Sequence, residues 1–146
     1  MDNKILDIYK LLLKKHGKQY WWPVHSIREP KKGSSIDRSM HCSNNAFEIM
    51  VGAILTQNTN WSNAEKALDN LIKSDSLELK NIAHLPLARL EKLIKPSGFY
   101  KQKALRLRNF ARFILKYKTL DNFCKNIGRE QLLNQNGIGP ETADSI

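Results

Sequence analysis

An all-α fold is what this sequence predicts, and three observations carry the prediction. Apolar residues recur at steps of three and four in every periodic segment. The period-two alternation of a half-buried strand is absent. The periodic segments begin and end on caps, prolines and glycines of the kinds that start and stop helices. With 146 residues the chain has the size of one domain, enough to bury about two thirds of its unfolded surface. Hydrophobic residues make up 41% and charged residues 26%, as in ordinary globular proteins, and no apolar run approaches the roughly 20 residues that span a bilayer.

Taken in order, the first helix is read from Ile5, Ile8, Tyr9 and Leu12 and ends at His16-Gly17. It is apolar nearly all round, with Leu6, Leu11 and Leu13 added, so it requires cover on more than one side. Pro23 to Asn45 mixes proline, glycine, serine and charge without periodicity and is read as a long loop or insertion. After the cap-like Ser43 to Asn45, Phe47, Met50, Val51, Ile54 and Leu55 define the next helix. Ser62 and Glu65 have capping-box spacing ahead of Ala64, Ala67, Leu68, Leu71 and Ile72. Pro86 opens a helix carrying Leu87, Leu90, Leu93 and Ile94, which Pro96-Ser97-Gly98 closes. A long helix is expected from Tyr100 to Tyr117, and one or two shorter ones between Asp121 and Asn134, broken at Gly128.

Charge narrows the partners. Lys and Arg number 24 against 14 Asp and Glu, a formal net charge of +10, and an excess of that size attracts polyanions by summed potential and counterion release. Nucleic acid is therefore the first partner class to consider, with a merely solvated basic surface as the alternative. In the Tyr100 helix, Ala104, Leu107, Phe110, Ala111, Ile114 and Tyr117 share one face, and Lys101, Arg108, Arg112 and Lys116 lie roughly opposite, with no acid between Gly98 and Leu120. Cys42 and Cys124 are far apart and in no CxxC pair, and His16, His25, His41 and His84 show no ligand spacing with them, so no metal site is expected. The N-terminal stretch lacks the small-residue cleavage site of an export signal, which favours the cytoplasm, at the nucleoid, and no membrane contact.

The most specific stretch is the last. In Asn134 to Ile146, Gly137 and Gly139 flank Ile138, and Pro140 suits the first position of a helix. No strand precedes the glycines and no Gly-Lys-Ser/Thr follows, which excludes the Rossmann and nucleotide P-loop readings. The unit is helix, Gly-Ile-Gly hairpin, helix, with Leu132, Leu133 and Ile138 as apolar pins and the helix entrance as a place for phosphate.

This unit resembles the helix-hairpin-helix of the HhH-GPD superfamily of base-excision DNA glycosylases, which includes endonuclease III and related bacterial 3-methyladenine glycosylases. Trp21 to Val24, Phe47 to Leu68 and Pro96 to Leu107 agree with the family in order. The resemblance implies an N-terminal helix (1–20) belonging to an incomplete second domain, a loop (21–45), and a six-helix-barrel-type domain of the endonuclease III fold (46–146) ending in the hairpin at about 130–146. It implies double-stranded DNA as partner and a surface formed by Gln57, Asn58, Phe99, Lys101, Lys103, Gly137, Ile138, Gly139, Glu141 and Thr142.

Gln57 matches the glutamine that fills the hole left by a flipped nucleotide, and Phe99 the bulky residue that wedges against the opposite strand. The residue-level alternative for Gln57 is a helix-terminal turn, with Asn58 as the stop. Family members that cut the backbone carry a lysine where Glu141 stands, and a carboxylate cannot form the imine. The resemblance thus implies a monofunctional N-glycosylase acting on damaged, alkylated bases, with an aspartate stabilising the oxocarbenium-like charge. That aspartate is expected beyond Ile146, since Asp144 stands too early, so the chain is expected to bind DNA without turnover. The four-cysteine iron-sulfur motif of many relatives is likewise expected beyond Ile146, with no cofactor in this chain. A non-catalytic DNA-binding module and a helical domain for an acidic protein are the other readings, and the apolar first helix predicts self-association.

Overall fold

The computed structural model describes residues 4–17 and 42–146, with side chains described from residue 46 in the second stretch. Every regular element among the described residues is helical, so the all-α expectation holds. The chain divides into two compact units, residues 1–31 and 32–146. The first contributes α1 (Lys4–His16), which closes on Gly17 in the left-handed region at φ 69, its N–H donating to Leu13 O at 2.8 Å. None of the residues of α1 is buried, and Ile5, Ile8, Leu11 and Leu12 are all more than half exposed. Trp21 to Val24 and most of the expected loop lie outside the described residues.

The second unit is built on α2 (Cys42–Leu55), whose Phe47, Met50, Val51, Ile54 and Leu55 are all buried. A helix buried around its whole circumference must be central, and α3 (Trp61–Lys73), α6 (Tyr100–Leu115), α7 (Leu120–Asn126) and α9 (Pro140–Ser145) pack on it. The layer is completed by α4 (Leu79–His84) and α5 (Leu87–Ile94), both against α6, and by α8 (Arg129–Leu133) against α9. Phe123, fully buried on α7, meets the rings of Phe110, Phe113 and Tyr117 edge-on at 6.0, 5.9 and 5.3 Å. Edge-to-face pairs of this kind each add about 0.5–1.5 kcal/mol beyond area burial.

Three boundaries and one short helix differ from the sequence expectation. Cys42 to Asn45 are already helical, because the apolar period that marks α2 begins only at Phe47 and its polar first turn carries no such signal. Helix α3 is capped by Asn60, whose Oδ1 accepts from Asn63 N at 3.0 Å, so Ser62 lies inside the helix and Glu65 instead accepts from Trp61 Nε1 at 2.9 Å. Helix α4 is unforeseen, since six residues show too little periodicity to be read. The long helix ends at Leu115 rather than Tyr117. Gly128 is the break between α7 and α8 as expected, its N–H satisfied by Gln131 Oε1 at 2.9 Å.

Candidate nucleic-acid interface

Three short connections carry the expected site residues, of which the first and third line one cleft while Phe99 on the second does not line it. The first follows α2. Thr56 closes that helix by donating its hydroxyl to Gly52 O and Ala53 O, each at 3.1 Å, and Asn58 turns the chain through the left-handed region at φ 50. Gln57 is thereby held at the head of a tight turn before Asn60 caps α3. The second connection joins α5 to α6: a 3-10 turn, Lys95–Ser97, leads into Gly98 at φ 67 and Phe99 at φ 45. A bulky residue in that region costs about 1–2 kcal/mol, yet Phe99 is 64% exposed, so no burial of its ring offsets the strain. Strain without packing is characteristic of a residue placed for function.

The third connection is the hairpin. Leu132 and Ile138 are buried beneath it, and Gln135 N and Ile138 N bond back to Leu132 O and Gln135 O at 2.9 and 3.1 Å. Gly137 has φ +84, and the side chain of Arg106 occupies the place where a Cβ would stand, so glycine is required twice over. Gly139 serves in a different way from Gly137. Its φ is −89 and open space surrounds its missing side chain, so only the approach of another molecule calls for glycine there. Arg129 on α8 reaches Asp144 on α9 through Nε at 2.6 Å and Nη2 at 3.2 Å, clamping the two hairpin helices. This bond holds the exposed Asp144 carboxyl below its ordinary pKa and gives the residue a structural task.

Gln57 joins the first connection to the third. Its amide nitrogen donates to Gly137 O and to Thr142 Oγ1, both at 2.9 Å, and its oxygen accepts from Arg106 Nη1 at 3.0 Å. Two acceptors on one side and an obligatory donor on the other fix which end of the amide is which. These atoms line an open cleft of about 570 Å³ with Asn58, Gln135, Ile138, Gly139, Pro140 and Glu141. Seven of the expected residues therefore converge: Gln57, Asn58, Gly137, Ile138, Gly139, Glu141 and Thr142. The local-turn alternative for Gln57 is set aside, because its partners lie 80 and 85 residues away.

The basic helix is corrected in part. Lys101 is exposed as expected, but Lys103 is 1% exposed, and its ammonium donates to Leu55 O at 2.8 Å and Ser97 O at 2.6 Å rather than facing a ligand. Burial, and next the charge of Arg106, lowers its pKa to about 8. In the expected stripe, Arg112 donates to Ala83 O at 3.0 Å, and Arg108 Nε is out of solvent. The cation of the cleft is Arg106, which the stripe omitted. The available signal was its place between Ala104 and Leu107, at the edge of the buried face rather than opposite it.

Among the described residues no three His, Cys, Asp or Glu side chains gather where they could hold a metal ion. No helix among the described residues is long and apolar enough to cross a membrane.

Comparison with known proteins agrees with this geometry. The profile of the HhH-GPD superfamily base excision DNA repair proteins matches residues 51–142, from α2 through the hairpin. A candidate DNA repair glycosylase of Methanocaldococcus jannaschii is 40% identical over 148 residues, covering 97% of this chain and 59% of that protein. Endonuclease III of Thermotoga maritima is 30% identical over 109 residues, covering 73% of this chain and 48% of its own. The crystal structure of the H. pylori 3-methyladenine DNA glycosylase bound to 1,N6-ethenoadenine superposes with a TM-score of 0.73 at 36% identity, covering 100% of this chain and 63% of that one. The chain thus spans about three fifths of the length of the relatives it matches along its whole extent. It belongs to the HhH-GPD superfamily of base excision DNA repair proteins, in the DNA repair glycosylase lineage.

Proposed function

We propose that the cleft between the Gln57 turn and the hairpin holds damaged double-stranded DNA, in a monofunctional N-glycosylase lineage acting on alkylated bases. The observation that carries this reading is the bonding of Gln57 to the hairpin at Gly137 and Thr142 with Arg106 beside it. One cleft thereby joins a chain able to enter the base stack, a cation, and backbone that a phosphate can approach. Phe99, exposed on its strained turn, supplies the wedge. The alkylated-base class is supported by the likeness to the H. pylori 3-methyladenine glycosylase.

Glu141 is the one carboxylate lining the cleft among the described residues, and the family resemblance aligns it with the lysine of backbone-cutting members. It cannot form an imine, so backbone cleavage is not expected. Asp144 is engaged by Arg129, and among the described residues no second acid lines the cleft to stabilise an oxocarbenium-like charge. The 146-residue chain is therefore proposed to grip DNA without removing the base. Incubation with methylated duplex, followed by alkali to reveal abasic sites, tests this directly. No product is expected, and base release by this chain would overturn the claim. The exposed apolar side chains of α1 are proposed to drive self-association, which light scattering would show as a mass above the monomer.

A further inference from the structure

Lys103 is a lysine 1% exposed with no carboxylate bonded to it, held only by two main-chain oxygens. A charge so placed costs stability relative to an apolar side chain of the same shape, so its presence calls for a reason other than packing. The two acceptors supply one. Leu55 O, at 2.8 Å, ends α2 two residues before Gln57, and Ser97 O, at 2.6 Å, ends the 3-10 turn two residues before Phe99. Both following segments use left-handed backbone at non-glycine residues, Asn58 at φ 50 and Phe99 at φ 45, and such turns persist only where neighbouring structure over-determines them. A single ammonium donates into the stem of each.

We propose that Lys103 is a positioning residue for damage recognition: its ammonium brackets the Gln57 turn and the Phe99 turn so that the two intruding side chains enter the duplex together. This rests on the reading of Gln57 and Phe99 given above. Neither side chain touches Lys103; the lysine acts through the carbonyls behind them. Loss of the bracket is expected to leave the hairpin and the surface cations, which carry binding to undamaged duplex, in place.

The test measures binding of wild type, K103M and K103R to an undamaged duplex and to the same duplex carrying a tetrahydrofuran abasic analogue opposite 2-aminopurine. Wild type is expected to prefer the abasic duplex and to raise the 2-aminopurine fluorescence as the opposite base is unstacked. In K103M, which loses both ammonium hydrogen bonds, the preference is expected to fall about tenfold or more, with undamaged binding within about twofold. The fluorescence rise at saturation should drop below half. K103R, which keeps the charge and the donors, is expected to recover most of the rise. Lower thermal stability alone would not change the signal of a saturated complex well below the melting transition; should K103M fail to fold, K103Q takes its place. Full preference and full fluorescence in a folded K103M would overturn the bracket while leaving the interface standing. Absence of any abasic preference in wild type would overturn the functional reading and the bracket with it.

Discussion

Alanine at Gly137 is expected to destabilise the protein by about 2–3 kcal/mol, whereas alanine at Gly139 is expected to cost no more than about 0.5 kcal/mol. At Gly137 the φ of +84 forces the new residue into left-handed backbone, at about 1–2 kcal/mol. The added Cβ also falls on the Cγ, Cδ and Nε of Arg106. These are mid-chain atoms that cannot move aside without drawing Nη1 away from Gln57 Oε1, a bond of 3.0 Å. A hydrogen bond to a charged group contributes about 1.5 kcal/mol or more, and the smaller unfolded-state entropy of alanine returns about 0.5 kcal/mol. At Gly139 the φ is −89 and the space is open, so that entropy gain is set only against the loss of glycine's preference for the N-cap of α9, about 0.5–1 kcal/mol. Urea denaturation followed by circular dichroism at matched m-values measures both. In an R106A background the cost of G137A should fall to the strain alone, about 1–2 kcal/mol. Equal effects at the two glycines, or a G137A protein within about 0.5 kcal/mol of wild type, would refute the account of the hairpin.

Other consequences follow from the same geometry. Burial, and next Arg106, holds the folded-state pKa of Lys103 near 8 against an ordinary 10.5. The unfolded chain therefore binds the extra proton between those values, and stability should rise with pH from about 8 to 10.5 by up to about 3 kcal/mol, with K103M lacking this rise. R106A should weaken duplex binding for any sequence and reduce the slope of log affinity against log salt by about 1, as expected for one lost phosphate contact; an unchanged slope would remove Arg106 from the interface. F99G should stabilise the free protein by up to about 1 kcal/mol through relief of the φ 45 strain, while lowering affinity for an abasic duplex more than for an intact one. Stability and abasic affinity falling together would mark Phe99 as a packing residue.

Much of the fold was legible because most helices here carry a strong period. The apolar faces of α2, α3, α5 and α6 all turn inward as read, and Gly128 and Pro86 stand at the element boundaries they announced. The failures share a cause: α4 is six residues long and the first turn of α2 is polar, so neither offers a period. At the site, residue types and order made the hairpin legible, since the Gly-x-Gly-Pro turn and its flanking helices restrict each other, but Gln57 read from residues alone was a helix-end turn, and only the family resemblance assigned it to the hairpin it bonds. Lys103 and Arg106 were not separable by type. Both are cations on an acid-free helix, and only the packing of α6 shows that one holds two carbonyls inside the core while the other faces the cleft. Periodicity places a residue on a face, but the path of a long flexible side chain is decided by acceptors distant in sequence.

On the proposed reading the Gln57 turn, Arg106 and the hairpin form one surface for damaged duplex DNA. An amide chemical-shift titration of the isotopically labelled chain with a short abasic-analogue duplex tests it most directly. Shifts are expected only in the neighbourhoods of Gln57 and Asn58, Gly98 and Phe99, and Gly137 to Thr142, together with the Arg106 side-chain signal. Shifts clustered instead on the outer faces of α3, α4 and α5, with Gln57, Arg106 and Gly137 unmoved, would contradict it.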